Sequence, residues 1–526
     1  MATYDILIKS GIVIDGTGAA PAPADIGVSN GKIAAIGGLK GATAEFIVDA
    51  SGKYVTPGFI DVTNHSDTHL SLFTYPALDG LLMQGVTTII GGNCGASLAP
   101  LASPESIQAI RKWADPSQIN MNWNGVGEFL QEVEKIRLGV NFGTLVGYGT
   151  LRRGVIGSAS RILDANERAE TRFLLEESVR EGAFGLSLGL AYGHERVSPA
   201  EEIVEIIGGL SAAGGMVKLH LRSEGADLIA AVNEAVQFGR ATGVRVHISH
   251  FKVIGKKSWK LFEKALEIIE SAANSGVVVS FDVSPYATTG SPLYSLLPSW
   301  SRQGGFSALF ERMDNEYQRR LIIDDLKKYT LHYQRIHIIS AKMSHLVGLT
   351  LAEVAEKMNF EPEEAILEML RANEGRVSIR GRTVSLHNVG KAVEHPRAMI
   401  ASDGEGYAQG EYTSGNLHHP RSFGTFPHFW HCYVNDIKSL SPEEAVRKMT
   451  GAPAALLGLK NRGTLMSGNF ADMVIFDPVL FRDRARYANP FRYPAGIEWV
   501  LVNGQLSVEK GRPTGVRAGK VVQKKA

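Results

Sequence analysis

Cysteine is nearly missing. The 526 residues hold two, Cys94 and Cys432. A small secreted scaffold stapled by disulfides uses many more, so that class is excluded and both thiols are expected to be reduced. An excess of one charge is missing too. The formal net charge is +1 at pH 7, which gives no electrostatic reason to expect nucleic acid or an acidic membrane as partner. No window approaches ~20 uninterrupted apolar residues, so no membrane-spanning helix is expected. The opening stretch MATYDILIKSGIVIDG has no basic segment followed by a long apolar run, does not read as a signal peptide, and leaves the cytoplasm as the expected compartment. Neither a GxGxxG nor a GxxxxGK[ST] phosphate loop occurs.

What is present fits a large globular enzyme. The chain is long enough for more than one domain, and 44% hydrophobic with 21% charged residues is an ordinary globular balance. Short apolar runs broken by Gly, Asn and Asp fill both ends: Ile6–Ile8, Ile12–Ile14, Ile33–Ile36 and Phe46–Val48 near the start, Asp472–Phe476 and Trp499–Val502 near the finish. Asn503–Gly504 is a hairpin signal. The middle alternates strand-like runs, such as Val244–Ser249 and Val277–Phe281, with helix-like ones, such as Ala231–Gly239 and Ala265–Ala272. Alternation over this length predicts a parallel α/β fold. The expected architecture is a (β/α)8 TIM-like barrel over residues 57–461, with an insertion around 290–350, and a small β-sandwich domain built from residues 1–56 and 462–526.

The polar residues inside the strands carry the functional signal. Successive side chains alternate faces along a strand. In Phe59–His65, Asp61, Thr63 and His65 share one face, and Ile60 and Val62 the other. In Met216–Arg222, Lys218, His220 and Arg222 share a face opposite Val217, Leu219 and Leu221. The apolar sets would pack on surrounding helices and the polar sets would point into the mouth of a barrel. Cys94, His65, His220, His250 and Asp403 each lie at or just past the end of a separate strand-like run, and thiolate, imidazole and carboxylate are the donors zinc accepts. Spacing alone leaves two readings open: a metal centre, or five separately satisfied polar residues.

A resemblance adds to this. Pro57–Val62 resembles the first-strand motif PGFIDVHxH of the amidohydrolase superfamily. Gly92-Asn93-Cys94-Gly95 looks like the GNCG loop of its N-acyl-D-amino-acid deacylase (D-aminoacylase) branch. Val146–Arg152 resembles VGHGTLR, Gly185–Tyr192 resembles GLSTGLxY, His220–Gly225 resembles HMRxEG, and His247–Lys252 resembles HISHxK. Ser402-Asp403-Gly404 with His419–Arg421 and Gly424–Pro427 is similar to SDG…HPRxxGTFP, and Arg447–Ala454 to RKMTGxPA. The match runs in order along nearly the whole chain.

The resemblance implies zinc-dependent hydrolysis of N-acyl-D-amino acids, with a small-molecule N-acyl amino acid as substrate. Cys94, His220 and His250 match the zinc ligands, and Asp403 the carboxylate that moves the proton. Lys252, Tyr286 and Arg421 match positions that hold the substrate's α-carboxylate, with Tyr192 nearby. The departures lie at Thr63 and Tyr148, where the motifs have His. With Thr63 in place of the first His of HxH, the expectation is one zinc per chain, with His65 as an extra ligand or hydrogen-bond donor. A shifted pair, His65 with Asp67, is the alternative. Two further readings compete: a cyclic amidohydrolase of the hydantoinase or dihydroorotase kind, and a non-catalytic binding or assembly protein on a decayed barrel.

Overall fold

Eight short parallel strands, taken here as β1 to β8, organise the computed structural model, which describes residues 3–328, 331–409 and 417–524. They are β1 (Phe59–Asp61), β2 (Val86–Gly91), β3 (Asn141–Thr144, continuing past Leu145 into Val146–Gly147), β4 (Gly185–Gly189), β5 (Met216–His220), β6 (Arg245–Ile248), β7 (Val279–Val283) and β8 (Ala398–Ile400). Each pairs in parallel with the next. A parallel bridge between Asn64 and Gly404, just beyond β1 and β8, brings the last strand to the first. The result is a mixed α/β fold with a ring of parallel strands at its centre.

Helices pack outside the ring because each carries one apolar stripe. Phe262–Asn274 between β6 and β7 buries Phe262, Ala265, Ile269 and Ala272, which recur at helical spacing. Ala165–Arg180 between β3 and β4 starts with a capping box: Asp164 accepts the Glu167 N–H while Glu167 reaches back to Asp164. Strand side chains facing these helices, among them Val217, Leu219, Val246 and Ile248, are buried with them in one large cluster.

The two chain ends share one hydrogen-bonded sheet, which branches at its first strand. Thr3–Val13 pairs with three partners: antiparallel with Ala22–Ser29, and in parallel with Thr43–Asp49 and Tyr54–Pro57. Tyr54–Pro57 then pairs with Met473–Phe476, which continues the sheet through Ile497–Val502 and Gln505–Glu509. Residues of both halves, such as Ile8, Val28, Met473 and Trp499, share one apolar cluster. Asn503 and Gly504, both at positive φ, make the tight turn between the last two strands named.

Between β7 and β8 the chain builds a separate three-stranded antiparallel sheet from Thr288–Pro292, Ile336–Ala341 and Val377–Arg382, with its own apolar cluster around Leu293, Ile322, Ile338 and Ile366. It is longer than the expected 290–350 segment because its third strand returns only at Val377. Among the described residues no helix is long and apolar enough to cross a membrane.

Candidate active site

The functional side chains sit where strands end and the backbone turns. β1 stops at Asp61, earlier than the alternation predicts, so Thr63 and His65 lie in the turn beyond it. Cys94 (φ 53°), His250 (φ 38°) and Asp403 (φ 52°) all occupy the left-handed region, which disfavours residues with a Cβ. Three such positions, at about 1–3 kcal/mol each, collect around one point. The loop after β2 has little freedom. A Cβ at Gly95 would meet the Glu195 carboxylate at 1.9 Å, and one at Gly92 the Leu145 carbonyl at 2.0 Å. Asn93 clamps the loop by donating to the carbonyls of Asn64 and Ile90.

Cys94 is the hub. Its Sγ lies 3.4 Å from His250 Nε2, 3.9 Å from His220 Nδ1 and 3.9 Å from His65 Nε2. Among the described residues, one group of three or more Cys, His, Asp or Glu has donor atoms close enough to hold a metal ion: Cys94, His220 and His250, mutually within 4.8 Å. His65 stands beside this group but outside it, with Nε2 3.3 Å from Asp403 Oδ1. Asp67 belongs elsewhere. It accepts the Gly92 N–H at 2.6 Å and holds the Cys94 loop from behind.

Electrostatics bias the donors towards ligation. Burial would raise the Cys94 thiol, yet His250, His220 and His65 together hold it well below its ordinary value. Burial would likewise raise Asp403, but Arg421, His250 and His65 hold it well below the usual carboxylate range, so it is an ionised acceptor. Arg421 Nη1 donates to Asp403 Oδ2 at 2.6 Å, while its Nε is buried without a partner.

Glu224 is the main residue that sequence reasoning missed. It lies in the quoted His220–Gly225 motif but received no role. Its Oε1 accepts from His250 Nδ1 at 3.0 Å and Lys252 Nζ at 2.7 Å, and lies 3.9 Å from His220 Nε2. A carboxylate on Nδ1 fixes the tautomer that leaves His250 Nε2 as a donor to metal. Lys252 Nζ also lies 2.9 Å from His250 Nδ1 and donates to the His250 carbonyl. Lys112 is a second omission, in a stretch without a motif. Its ammonium donates to the Cys94 carbonyl and sits 3.6 Å above the Tyr192 ring, fixing that ring against the site.

A cavity of about 980 Å³ opens over these groups; its wall includes His65, Tyr192, Lys252, Asp403 and Arg421. The Tyr192 ring packs against the His220 ring at 5.1 Å, tilted by 50°. Tyr286 lies apart, in a narrow side cavity of about 40 Å³ behind Arg421, its ring stacked on His428 at 4.5 Å and its buried hydroxyl unpartnered. His419 seats Arg421: its Nε2 bonds the Thr288 carbonyl and its Nδ1 accepts the Arg421 N–H. Tyr148, the other departure, is remote from the donors. Its hydroxyl bonds Glu202 at 2.6 Å beside the buried Arg152–Glu202 ion pair, a structural lock under the helix after β3.

The ring of parallel strands with Cys94, His220, His250 and Asp403 gathered at its mouth has the form of an amidohydrolase. Comparison places it more narrowly. An amidohydrolase family profile (Amidohydro_3) matches residues 361–508. A D-aminoacylase of Alcaligenes xylosoxydans xylosoxydans is 33% identical over 99% of this chain and 98% of its own length. A solved D-aminoacylase described by its binuclear metal centre superposes with a TM-score of 0.85 at 30% identity, covering 99% of this chain and 100% of that one. The N-acyl-D-glutamate deacylase of Bordetella bronchiseptica, solved with zinc and a phosphonate mimic of the tetrahedral intermediate, superposes at 0.83 and 29% identity with the same coverage. The chain belongs to the D-aminoacylase family of N-acyl-D-amino-acid deacylases. Membership as an enzyme of linear amides sets aside the cyclic-amide and non-catalytic readings.

Proposed function

We propose that this chain hydrolyses N-acyl-D-amino acids to a carboxylate and a free D-amino acid, with one zinc ion held by Cys94, His220 and His250. The observation that carries this is the convergence of those three donors at the floor of the large cavity, with the ionised Asp403 facing them. The set fits the ion: one soft thiolate and two imidazoles are a zinc-type donor set that leaves a position open. When bound, zinc supplies Lewis acidity, which polarises an amide carbonyl and lets water ionise near neutral pH.

The chain's own residues do the rest. Asp403 takes the proton from the attacking water and returns it to the leaving amine nitrogen. His65, on its other oxygen, keeps that carboxylate aimed at the site. Arg421 spends Nη1 on Asp403 and lines the cavity, where its planar fork matches the substrate's α-carboxylate. Lys252 and Tyr192 line the same cavity and complete the grip. Tyr286 supports Arg421 from the side cavity they share. The D-configuration enters from the relatives: two are D-aminoacylases and one is by name an N-acyl-D-glutamate deacylase. The ring of strands is read as a (β/α)8 barrel of residues 57–461, carrying a β domain from residues 1–56 and 462–526.

The test is metal analysis joined to a panel of N-acetyl-D- and N-acetyl-L-amino acids. One zinc per chain is expected, with hydrolysis of D-substrates abolished by chelation and restored by zinc. Preference for L-substrates, or no turnover by zinc-loaded protein, overturns the reading.

A further inference from the structure

Beside the Cys94 cluster, inside the ring, lies a second set of polar side chains with no opening to the cavity. Lys218 on β5, Thr63 after β1, His247 on β6 and Asp282 on β7 are each at most 1% exposed. Lys218 Nζ donates to Thr63 Oγ1 and the Val62 carbonyl and lies 3.4 Å from Asp282 Oδ2. Thr63 Oγ1 donates to Asp282 Oδ2. The same oxygen bonds His247 Nε2 at 2.9 Å, and Asp282 Oδ1 accepts the His250 N–H at 2.7 Å. His247 Nδ1 bonds Ser280 Oγ at 2.8 Å. Every charge in the set has its counter-charge and every named polar atom has a partner.

Its position matters as much as its closure. Lys218 is two residues before His220 on one strand face, and its ammonium holds Thr63, two residues before His65 in the turn after β1, so it sits on the His65 side of the centre. A D-aminoacylase of 30% identity has a binuclear metal centre. Here the His65 side of the centre offers a hydroxyl already used twice, an imidazole already on Asp403, and an ammonium. A side chain longer than threonine at position 63 would run into the Lys218 ammonium, which is in hydrogen-bond contact with Oγ1. A second divalent ion would face that ammonium across a buried, low-dielectric gap, where like charges repel strongly.

We infer that Lys218, seated by Thr63 and balanced by Asp282, stands as a built-in cation where a second metal ion would bind, and holds this deacylase at one ion per chain. The inference rests on the reading of Cys94, His220 and His250 as the site of the first ion. It makes the count of metal ions a property of the pair Lys218–Thr63, not of Thr63 alone.

The experiment is metal stoichiometry of purified full-length protein equilibrated with zinc, for wild type, Thr63→His, and Thr63→His/Lys218→Ser, with circular dichroism and thermal melting of each. Expected are one, one and two ions per chain. Two ions in wild type overturns both the inference and the one-ion count, whereas two in Thr63→His alone, or one in a folded double variant, overturns the inference and leaves the one-ion reading of the Cys94 site intact. No ion in wild type sinks both. Calorimetric titration of wild type with zinc gives an answer that needs no variant to fold: a single binding event is expected, and a second saturable event overturns the inference.

Discussion

Two polar clusters face the interior of the same ring a few ångströms apart, and they have opposite states of satisfaction. At the mouth, Cys94, His220 and His250 direct donor atoms at one point under an open cavity with Asp403 facing them, and Cys94, His250 and Asp403 are held at positive φ. Beside them, Thr63, Lys218, His247 and Asp282 consume one another's hydrogen-bonding capacity and reach no cavity. Residue type does not separate the two, since both hold histidine and an acid. What separates them is whether capacity is left over. Unspent donors converging on space are able to do chemistry; a closed network contributes only position and charge.

The contrast is broken most severely by Asp403→Asn. The amide keeps the size of the side chain but cannot take a proton, so kcat falls by about 10²–10⁴. Metal content stays near wild type, because Asp403 is not one of the three clustered donors. A fall in zinc content equal to the fall in rate would make Asp403 a ligand instead.

Asp282→Asn attacks the closed cluster. It leaves the Lys218 ammonium buried without its counter-charge, and removal of one partner from a buried pair costs about 3–5 kcal/mol. Urea unfolding reads this directly. Adding Lys218→Met to the same chain should recover part of the loss, since no charge is then stranded. A double variant as unstable as the sum of the two single ones would mean that the pair does not interact.

These two experiments also divide what the sequence made visible from what it hid. Cys94, His220, His250 and Asp403 are legible because each follows an apolar run that fixes a strand end, and because a familiar motif surrounds each. Asp282 is one acid inside Val279–Val283, and its partners arrive from three other strands, so nothing local marks it. Glu224 sits in a turn after β5, where the period-two alternation no longer tells which way a side chain points. The same limit applied to the fold. Apolar strands such as Met473–Phe476 could be read, but the branching of the terminal sheet at Thr3–Val13 depends on pairing across hundreds of residues. The insertion's Thr288–Pro292, sequence TTGSP, has no apolar alternation at all and becomes a strand only because Val377–Arg382 pairs with it.

A milder change tests whether orientation alone sustains the open cluster. Glu224→Gln preserves the shape beside His250 but weakens the bond on Nδ1 and removes the counter-charge of Lys252. Loss of such an outer partner lowers metal affinity by about 10–100-fold. Competition with a chelator measures it, and rate at saturating zinc should recover most of the way. Unchanged affinity would show that the Cys94 loop and backbone turns suffice to aim His250.

The smallest effect is expected far from both clusters and defines the baseline for the rest. Thr350 caps the helix Leu351–Met358 in the insertion: its Oγ1 accepts the Glu353 N–H and Glu353 reaches back to the Thr350 N–H. Thr350→Ala removes one of these bonds and should cost about 0.5–2 kcal/mol of stability. Because the insertion has its own apolar cluster, kcat and zinc content should be unchanged. A change in either would mean that strain in the insertion reaches the cavity wall, to which its strands contribute Ser291, Ile339 and Ser378. The separation between a chemical centre and a structural frame would then fail at the insertion, not at the boundary between the two clusters inside the ring.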